Sequence, residues 1–248
     1  MGADNKVIAV TGASRGIGAA IALELARRGF TVGCLTRNAG GPESEEASRF
    51  KDNFVNVACD VTDEASVKAA FAELAKKTGA LHGLVNNAGI HLDAPSHELT
   101  TATYEKVMAT NATAVFAACR EAYPHLIKSG GGSIVNIGSF FDKIGVKRNV
   151  AYCASKAAVG AITRCLAVEW AGKGIRVLDV APGYIVTDLN REAMTRGPLA
   201  DYLKKRIPSG VTGTTGDVAK LVAAIFSEDI AFLSGETIYI DGAQGIAH

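Results

Sequence analysis

Tyr152 and Lys156 stand four residues apart in Y-C-A-S-K, and on a helix that spacing turns both side chains to one face. A phenol with an ordinary pKa of ~10 is a poor acid or base at neutral pH until a cation favours its phenolate, and Lys156 is a cation within reach. The pair can serve as a proton-exchanging dyad, or it can be a solvated helix face. Ser139 ends the run S-I-V-N-I-G-S. Its hydroxyl can donate to a carbonyl oxygen on which negative charge develops, or it can cap neighbouring backbone groups. Cys153 adjoins the tyrosine, so alkylation there is expected to block the dyad.

A second group of residues suits an anion. T-G-A-S-R-G-I-G, residues 11 to 18, follows the apolar run V-I-A-V and precedes a segment rich in alanine and leucine, the pattern of a strand turning into a helix. Gly12 permits the tight turn, Gly16 lets the backbone approach a pyrophosphate, and Gly18 allows close packing of the helix on the sheet. A helix starting near Gly16 or Ile17 offers free N–H groups and a positive dipole end to phosphates. Ser14 and Arg15 lie inside this loop. Arg37 follows Leu35 and Thr36 at the end of the second apolar run, where a site for an unphosphorylated dinucleotide carries an acid for the ribose 2′-hydroxyl. No acid stands there. Two guanidinium groups at that end suit a 2′-phosphate, each charge-assisted bond contributing about 1.5–3 kcal/mol, so the expected cofactor is NADP(H).

Positions 12, 139 and 152 can meet only if the chain brings several strand ends to one edge. Strand-like runs fall at residues 7–10, 31–35, 56–61, 83–89, 133–139, 175–183 and 236–242. Helix-length periodic segments separate them at Ala19 to Arg28, Ala65 to Lys77, Tyr104 to Ile127 and Ala154 to Ala171. Continuously apolar strands alternating with amphipathic helices predict a doubly wound α/β fold, with a seven-stranded parallel sheet covered on both faces. The 248 residues, 48% hydrophobic, suit one core, and one domain is expected over 1–248. The stretch 183–216 is the largest irregular one, with a helical-looking middle at 189–207.

A formal charge of +1 gives no field to recruit nucleic acid or an anionic membrane surface. The opening M-G-A-D-N-K has no basic region followed by an apolar stretch, and no run approaches the roughly 20 apolar residues of a membrane span. Five scattered cysteines without a CxxC pair suit reduced thiols, and the expected location is cytoplasmic. The five histidines show no ligand spacing, with His91 and His97 in a polar, loop-like stretch, and no metal site is expected.

Taken together, T-G-A-S-R-G-I-G, C-D-V at 59–61, N-N-A-G at 86–89, Asn111, Ser139, Y-C-A-S-K at 152–156 and P-G at 182–183 resemble the classical short-chain dehydrogenase/reductases over essentially the whole chain. The thirteen-residue step from Ser139 to Tyr152 matches the family's pattern. The resemblance implies that Tyr152 exchanges a proton with the substrate oxygen and that Lys156 also bonds the nicotinamide ribose. Asn111 would hold a water linking the lysine to solvent, a structural kink being the alternative. Asp60 and Val61 would meet the adenine. Asn87, Ala88 and Gly89 would line the adenosine ribose, and Pro182, Gly183, Ile185 and Thr187 would continue the cofactor wall. Residues 188–208 would form a substrate lid.

R-I-P at 206–208 and S-G-E-T-I-Y-I-D-G at 234–242 resemble the 3-oxoacyl-[acyl-carrier-protein] reductases, which makes a 3-oxoacyl or similar ketone the expected substrate. Acyl carrier protein is then a candidate partner. Lys173 is basic as that docking asks, whereas Gly130-Gly131-Gly132 stands where a basic residue is often found. Phe140, Phe141 and Tyr184 would wall an apolar pocket. E-W-A at 169–171 and A-P-G-Y at 181–184 also resemble members acting on sugar acids, so sugar-acid or polyol oxidation stands as the second reading. A catalytically silent NADP-binding regulator is the reading from another class, and the retention of Ser139, Tyr152, Lys156 and Asn111 argues against it. The resemblance further implies a homotetramer built on segments 104–127 and 154–171 and the C-terminal strand.

Overall fold

The first apolar run forms strand β1 (Val7–Thr11), buried at every position, as a strand covered on both faces must be. The structure, a computed structural model, describes residues 6–228 and 230–247. The expected domain extent of 1–248 also includes Met1–Asn5, Asp229 and His248, which lie outside the described residues. After β1 come α1 (Gly16–Arg27), β2 (Thr31–Thr36), α2 (Glu45–Ser48), β3 (Phe54–Ala58), α3 (Glu64–Thr78), β4 (Gly83–Asn86), α4 (Thr101–Met108) and α5 (Ala114–Lys128). The second half runs β5 (Gly132–Ile137), α6 (Val150–Trp170), β6 (Ile175–Pro182), β7 (Ile185–Val186), α7 (Arg191–Thr195), α8 (Pro198–Arg206), β8 (Gly213–Thr214), α9 (Thr215–Ser227) and β9 (Thr237–Ile240).

The sheet is seven-stranded in the order β3-β2-β1-β4-β5-β6-β9, and every pair is parallel. Winding reverses between β1 and β4, which opens a crevice at the carboxyl ends of those strands. Two buried layers sandwich the sheet. On one face Phe71, Leu74, Leu126, Val159, Leu166 and Trp170 cover Ala9, Leu84, Ile134 and Val177. On the other, Ile21, Leu25, Val218, Val222 and Phe226 cover Ile8, Val10, Val32, Leu178 and Val180. Each large side chain so buried contributes about 1.5–3 kcal/mol.

One register row across the sheet is polar. Asn86 on β4 aligns with Asn136 on β5, Asn136 with Asp179 on β6, and Asp179 with Thr237 on β9. Asn86 Nδ2 donates to Asn136 Oδ1 at 2.9 Å, Asn136 Nδ2 to Thr163 Oγ1 on α6 at 2.9 Å, and Thr237 Oγ1 to Asp179 Oδ2 at 3.3 Å. Asn86, Asn136, Thr163 and Asp179 are all buried.

Three local expectations change. The strand predicted over 56–61 is β3, Phe54–Ala58, because the Asp60 carboxylate accepts from Thr62 N at 2.9 Å and Thr62 Oγ1 at 2.7 Å and folds the chain into a turn. The single helix predicted over 104–127 is broken by a π-helical turn at Ala109–Thr113, which separates α4 from α5. The irregular stretch 183–216 holds two short helices and a second sheet, β7 paired with β8. Among the described residues no helix is long and apolar enough to cross a membrane, and no cluster of His, Cys, Asp or Glu could hold a metal ion.

Candidate active site

The glycine loop leaves β1 at the crevice. Gly12 adopts φ +68°, and a Cβ added to it would lie 3.1 Å from the Asn87 side chain and from Ala88 Cα. At Gly18 an added Cβ would stand 2.2 Å from the Gly12 carbonyl oxygen, so only glycine lets the helix sit this close to the loop. Arg15 is the N-cap of α1, yet its side chain makes no capping bond, and the first turn holds no acid. The N–H groups of Gly16, Ile17 and Gly18 are therefore left for an anion. That open helix end and the two spaces kept free of Cβ atoms fit the phosphates of a dinucleotide.

The β4 loop is tied to this cradle. Asn87 Nδ2 donates to the Thr11 and Gly12 carbonyls at 3.0 and 3.2 Å, while Thr11 Oγ1 accepts from the N–H groups of Asn87 and Ala88 at 3.0 and 3.1 Å. From the opposite side, a Cβ on Gly16 would face Thr187 Cγ2 at 3.9 Å, so the segment after β6 closes on the loop. Ile185 is buried in β7, and Thr187 N donates to Asn190 Oδ1 at 2.7 Å. Gly183, after Pro182, donates from its N–H to the Ile240 carbonyl at 3.0 Å, and a Cβ there would stand 2.7 Å from Asp241 Cα. Ser14 and Val61 are half-buried beside the cradle, and Gly89 lies so that a Cβ would sit 3.2 Å from Asn111 Oδ1. Arg15 and Arg37 are exposed at the mouth. The Thr62 hydrogen bonds, and more weakly the Arg37 charge, hold the Asp60 carboxyl below its ordinary range.

At the neighbouring strand end, Ser139 caps the short turn Phe140–Asp142 by accepting from Phe141 N at 3.2 Å, and its hydroxyl also reaches Tyr152. The capping reading of this serine is the one seen in the turn. Tyr152 and Lys156 share one face of α6. Lys156 is buried, donates from Nζ to the Ile137 carbonyl at 2.7 Å, and lies 5.6 Å from the centre of the tyrosine ring. The expected lowering of the tyrosine's pKa by the lysine is not what this arrangement does. Burial pushes the phenol up to about 12, with the Ser139 hydrogen bond opposing, and burial pushes the lysine down to about 8, with Asp179 opposing. The ammonium donates to the Ile137 carbonyl.

Asn111 sits on the π turn. Its Oδ1 accepts from Ile90 N at 2.8 Å, and its Nδ2 donates to the Ile90 carbonyl at 2.8 Å and to Ser155 Oγ at 3.1 Å. The amide thus holds the β4 loop against α6, the structural alternative for this residue. Phe141 stands edge-on to Tyr152 at 5.9 Å and to Tyr184 at 6.0 Å, and Phe140 packs on Tyr184 at 5.5 Å. The expected lid comprises α7 and α8, which fold over Tyr184 and Val186 through Met194, Leu203 and Ile207.

Two residues join the site that sequence reasoning passed over. The His91 ring lies edge-on to Tyr152 at 4.7 Å and is hydrogen-bonded to Asn149 Oδ1, whose Nδ2 in turn donates to the Lys147 carbonyl at 2.8 Å. Its place directly after N-N-A-G-I was the available signal. Asp179 is fully buried in β6, and the signal was a lone acid in the apolar run V-L-D-V.

Comparison with known proteins agrees with this geometry. The family described as enoyl-(acyl carrier protein) reductase matches residues 12–243. The D-threitol dehydrogenase of Mycolicibacterium smegmatis is 37% identical over 245 residues, covering 98% of this chain and 94% of that protein. The 3-oxoacyl-[acyl-carrier-protein] reductase of Homo sapiens is 37% identical over 238 residues, covering 96% and 97%. The ligand-free aldohexose dehydrogenase of Thermoplasma acidophilum superposes with a TM-score of 0.88 at 31% identity, covering 99% of this chain and 96% of that one.

Proposed function

This chain belongs to the short-chain dehydrogenase/reductase family, an oxidoreductase family acting on alcohol and ketone groups, and from that premise we propose that it is an NADP(H)-dependent reductase of a small ketone, a 3-oxoacyl compound or one like it. The observation that carries this reading is the convergence of Ser139, Tyr152 and Lys156 on α6 and the end of β5, beside a glycine cradle with an open helix end. The nicotinamide, when bound, supplies or accepts the hydride. Tyr152 gives its phenolic proton to the carbonyl oxygen in reduction and takes it back in oxidation. Ser139 donates a hydrogen bond to the same oxygen as charge grows on it. Lys156, with a pKa near 8, carries its charge at neutral pH and supports the phenolate left after proton transfer. Phe140, Phe141 and Tyr184 exclude water and hold an apolar substrate body.

Preference for NADP(H) rests on Arg15 and Arg37 at the mouth and on the absence of an acid after β2. A small-molecule substrate is favoured over one carried by acyl carrier protein. Gly131 has φ +115°, and a Cβ there would stand 2.4 Å from the Gly174 carbonyl oxygen, so position 131 is packed too closely to present a basic side chain for docking. Polyol or sugar-acid oxidation is the second reading, favoured by the polar His91 at the tyrosine and by the similarity to D-threitol dehydrogenase. We further propose a cytoplasmic homotetramer assembled through α5, α6 and β9.

The test is consumption of NADPH, with NADH alongside, by wild type and Tyr152→Phe on acetoacetyl thioesters, cyclic diketones, aryl ketones and keto sugar acids. Turnover abolished by the substitution supports the reading, and the preferred substrate chooses between ketone and polyol chemistry. Activity surviving in Tyr152→Phe, or equal use of NADH, counts against it.

A further inference from the structure

Asp179 is a carboxylate where the sheet has almost no water, and the backbone around it makes room for it. A Cβ on Gly138 would lie 2.4 and 2.6 Å from the two Asp179 carboxylate oxygens, and one on Gly160 would lie 3.9 Å from Oδ2. Gly138 directly follows Ile137, whose carbonyl receives the Lys156 ammonium, and Gly160 stands one helical turn after Lys156 on the same face of α6. Both openings that admit the carboxylate therefore flank the lysine. Thr237 Oγ1 donates to Oδ2 at 3.3 Å, while Oδ1 is buried without a hydrogen-bond partner. A buried oxygen left so is expensive for the fold, and a serine or asparagine at 179 would avoid the charge.

The groups that face this carboxylate come from three directions. From α6 comes Lys156. The turn after β5 brings Asp142. From β9 come Thr237 and Tyr239, and the Tyr239 hydroxyl donates to Asp142 Oδ2 at 2.8 Å with the Lys143 ammonium 3.4 Å above its ring. Burial pushes the Asp179 carboxyl up to about 6; Lys156 pulls it down and Asp142 pushes it further up. The Asp179 carboxylate and the Lys156 ammonium thus each favour the charged form of the other.

We propose that Asp179 is a positioning residue for Lys156: from the sheet side its buried carboxylate keeps the lysine charged behind the reacting tyrosine. The proposal deepens the oxidoreductase reading and rests on it. Asp179→Asn, nearly the same shape without the charge, and Asp179→Ser are compared with wild type by two readouts. Carbon-13 NMR of labelled lysine follows the titration of Lys156 without any turnover, with Lys156→Arg assigning the signal. The pH profile of kcat and of KM for ketone reduction follows its consequence.

In both variants Lys156 is expected to lose its proton at least one pH unit below the wild-type value. The alkaline fall of kcat should move by the same interval, so that kcat at pH 8 drops at least about fivefold while KM stays within twofold. A lysine titration and kcat profile that superpose on wild type overturn the proposal. So does failure of both variants to fold, which would make the carboxylate a structural group. Absence of wild-type turnover on every ketone removes the ketone-reductase reading, whereas an unmoved lysine signal removes only the role of Asp179.

Discussion

At Gly18 the start of α1 lies so close to the Gly12 carbonyl that a single methyl group cannot enter, whereas the space beside Gly16 is open. Gly18→Ala is expected to lower stability by about 1–3 kcal/mol through overpacking, and to weaken NADPH binding with it, as measured by thermal unfolding and fluorescence titration. Arg15 and Arg37 act at the other end of the proposed cofactor. Replacing either by Ala should cut the ratio of NADPH to NADH affinity at least tenfold, following the ~1.5–3 kcal/mol of one charge-assisted bond. A ratio that stays constant removes that arginine from the 2′-phosphate. Among the thiols, burial pushes Cys34 and Cys119 up to about 12 and Cys59 to about 11, while Cys165 is exposed and Cys153 half-buried. A thiol reagent should modify Cys165 first without loss of activity, and slow inactivation should disappear in Cys153→Ser, as read by mass spectrometry beside the assay. Gly12, Gly18, Tyr152 and Lys156 are legible in the sequence because their spacing falls within a wider constellation that resembles the family's. The electrostatics of Tyr152 and Lys156 are not, because they depend on burial and on Ile137 and Asp179, residues that only the folded sheet brings near.

At the scale of elements, the interruption between α4 and α5 shows where periodicity misleads. Apolar residues keep helical spacing through 104–127, yet Asn111 is drawn to the backbone of Ile90, twenty-one residues away, and a π turn accommodates the pull. Asn111→Ala strands a buried N–H and carbonyl of Ile90 and should cost about 2–3 kcal/mol in urea unfolding, with a loss of activity that exceeds the loss of folded protein. In the segment 183–216 the helical middle at 189–207 was legible, whereas its division into α7 and α8 and the pairing of β7 with β8 were not. These helices bury only Met194, Leu203 and Ile207 around a small satellite core. The same thin packing gives a dynamic expectation. Amides of 188–208 should exchange with solvent well before those of β1, β4 and β5, and bound NADPH should slow them if the segment is a lid. Exchange as slow as in the sheet would identify a rigid insert.

For the molecule as a whole, the doubly wound parallel sheet and its two packed layers were legible because most strand runs are continuously apolar, as a doubly covered parallel sheet asks, whereas the strand order was not. The surface is a different matter. Val168 on α6 is 83% exposed, Phe116 on α5 is exposed, and Phe232 before β9 is fully so. These stand on or beside the elements through which the homotetramer is proposed, and burying them accounts for side chains that a monomer would leave in water. Light scattering should give four times the chain mass, and Val168→Glu should reduce it; a monomer at working concentration would contradict the assembly.

The row Asn86, Asn136, Asp179 and Thr237 also bears on how the chain assembles. Its members interleave with Val135, Ile137, Leu178 and Val180, which face the opposite layer. A slip of one residue in β5 or β6 would drive an amide or a carboxylate into hydrocarbon and expose isoleucine or valine to the partners of Asn86 and Thr163. Strand alignment is thereby proofread: a misregistered sheet has nowhere to hide its polar groups, and chains that pair wrongly are returned to the unfolded pool before the site exists.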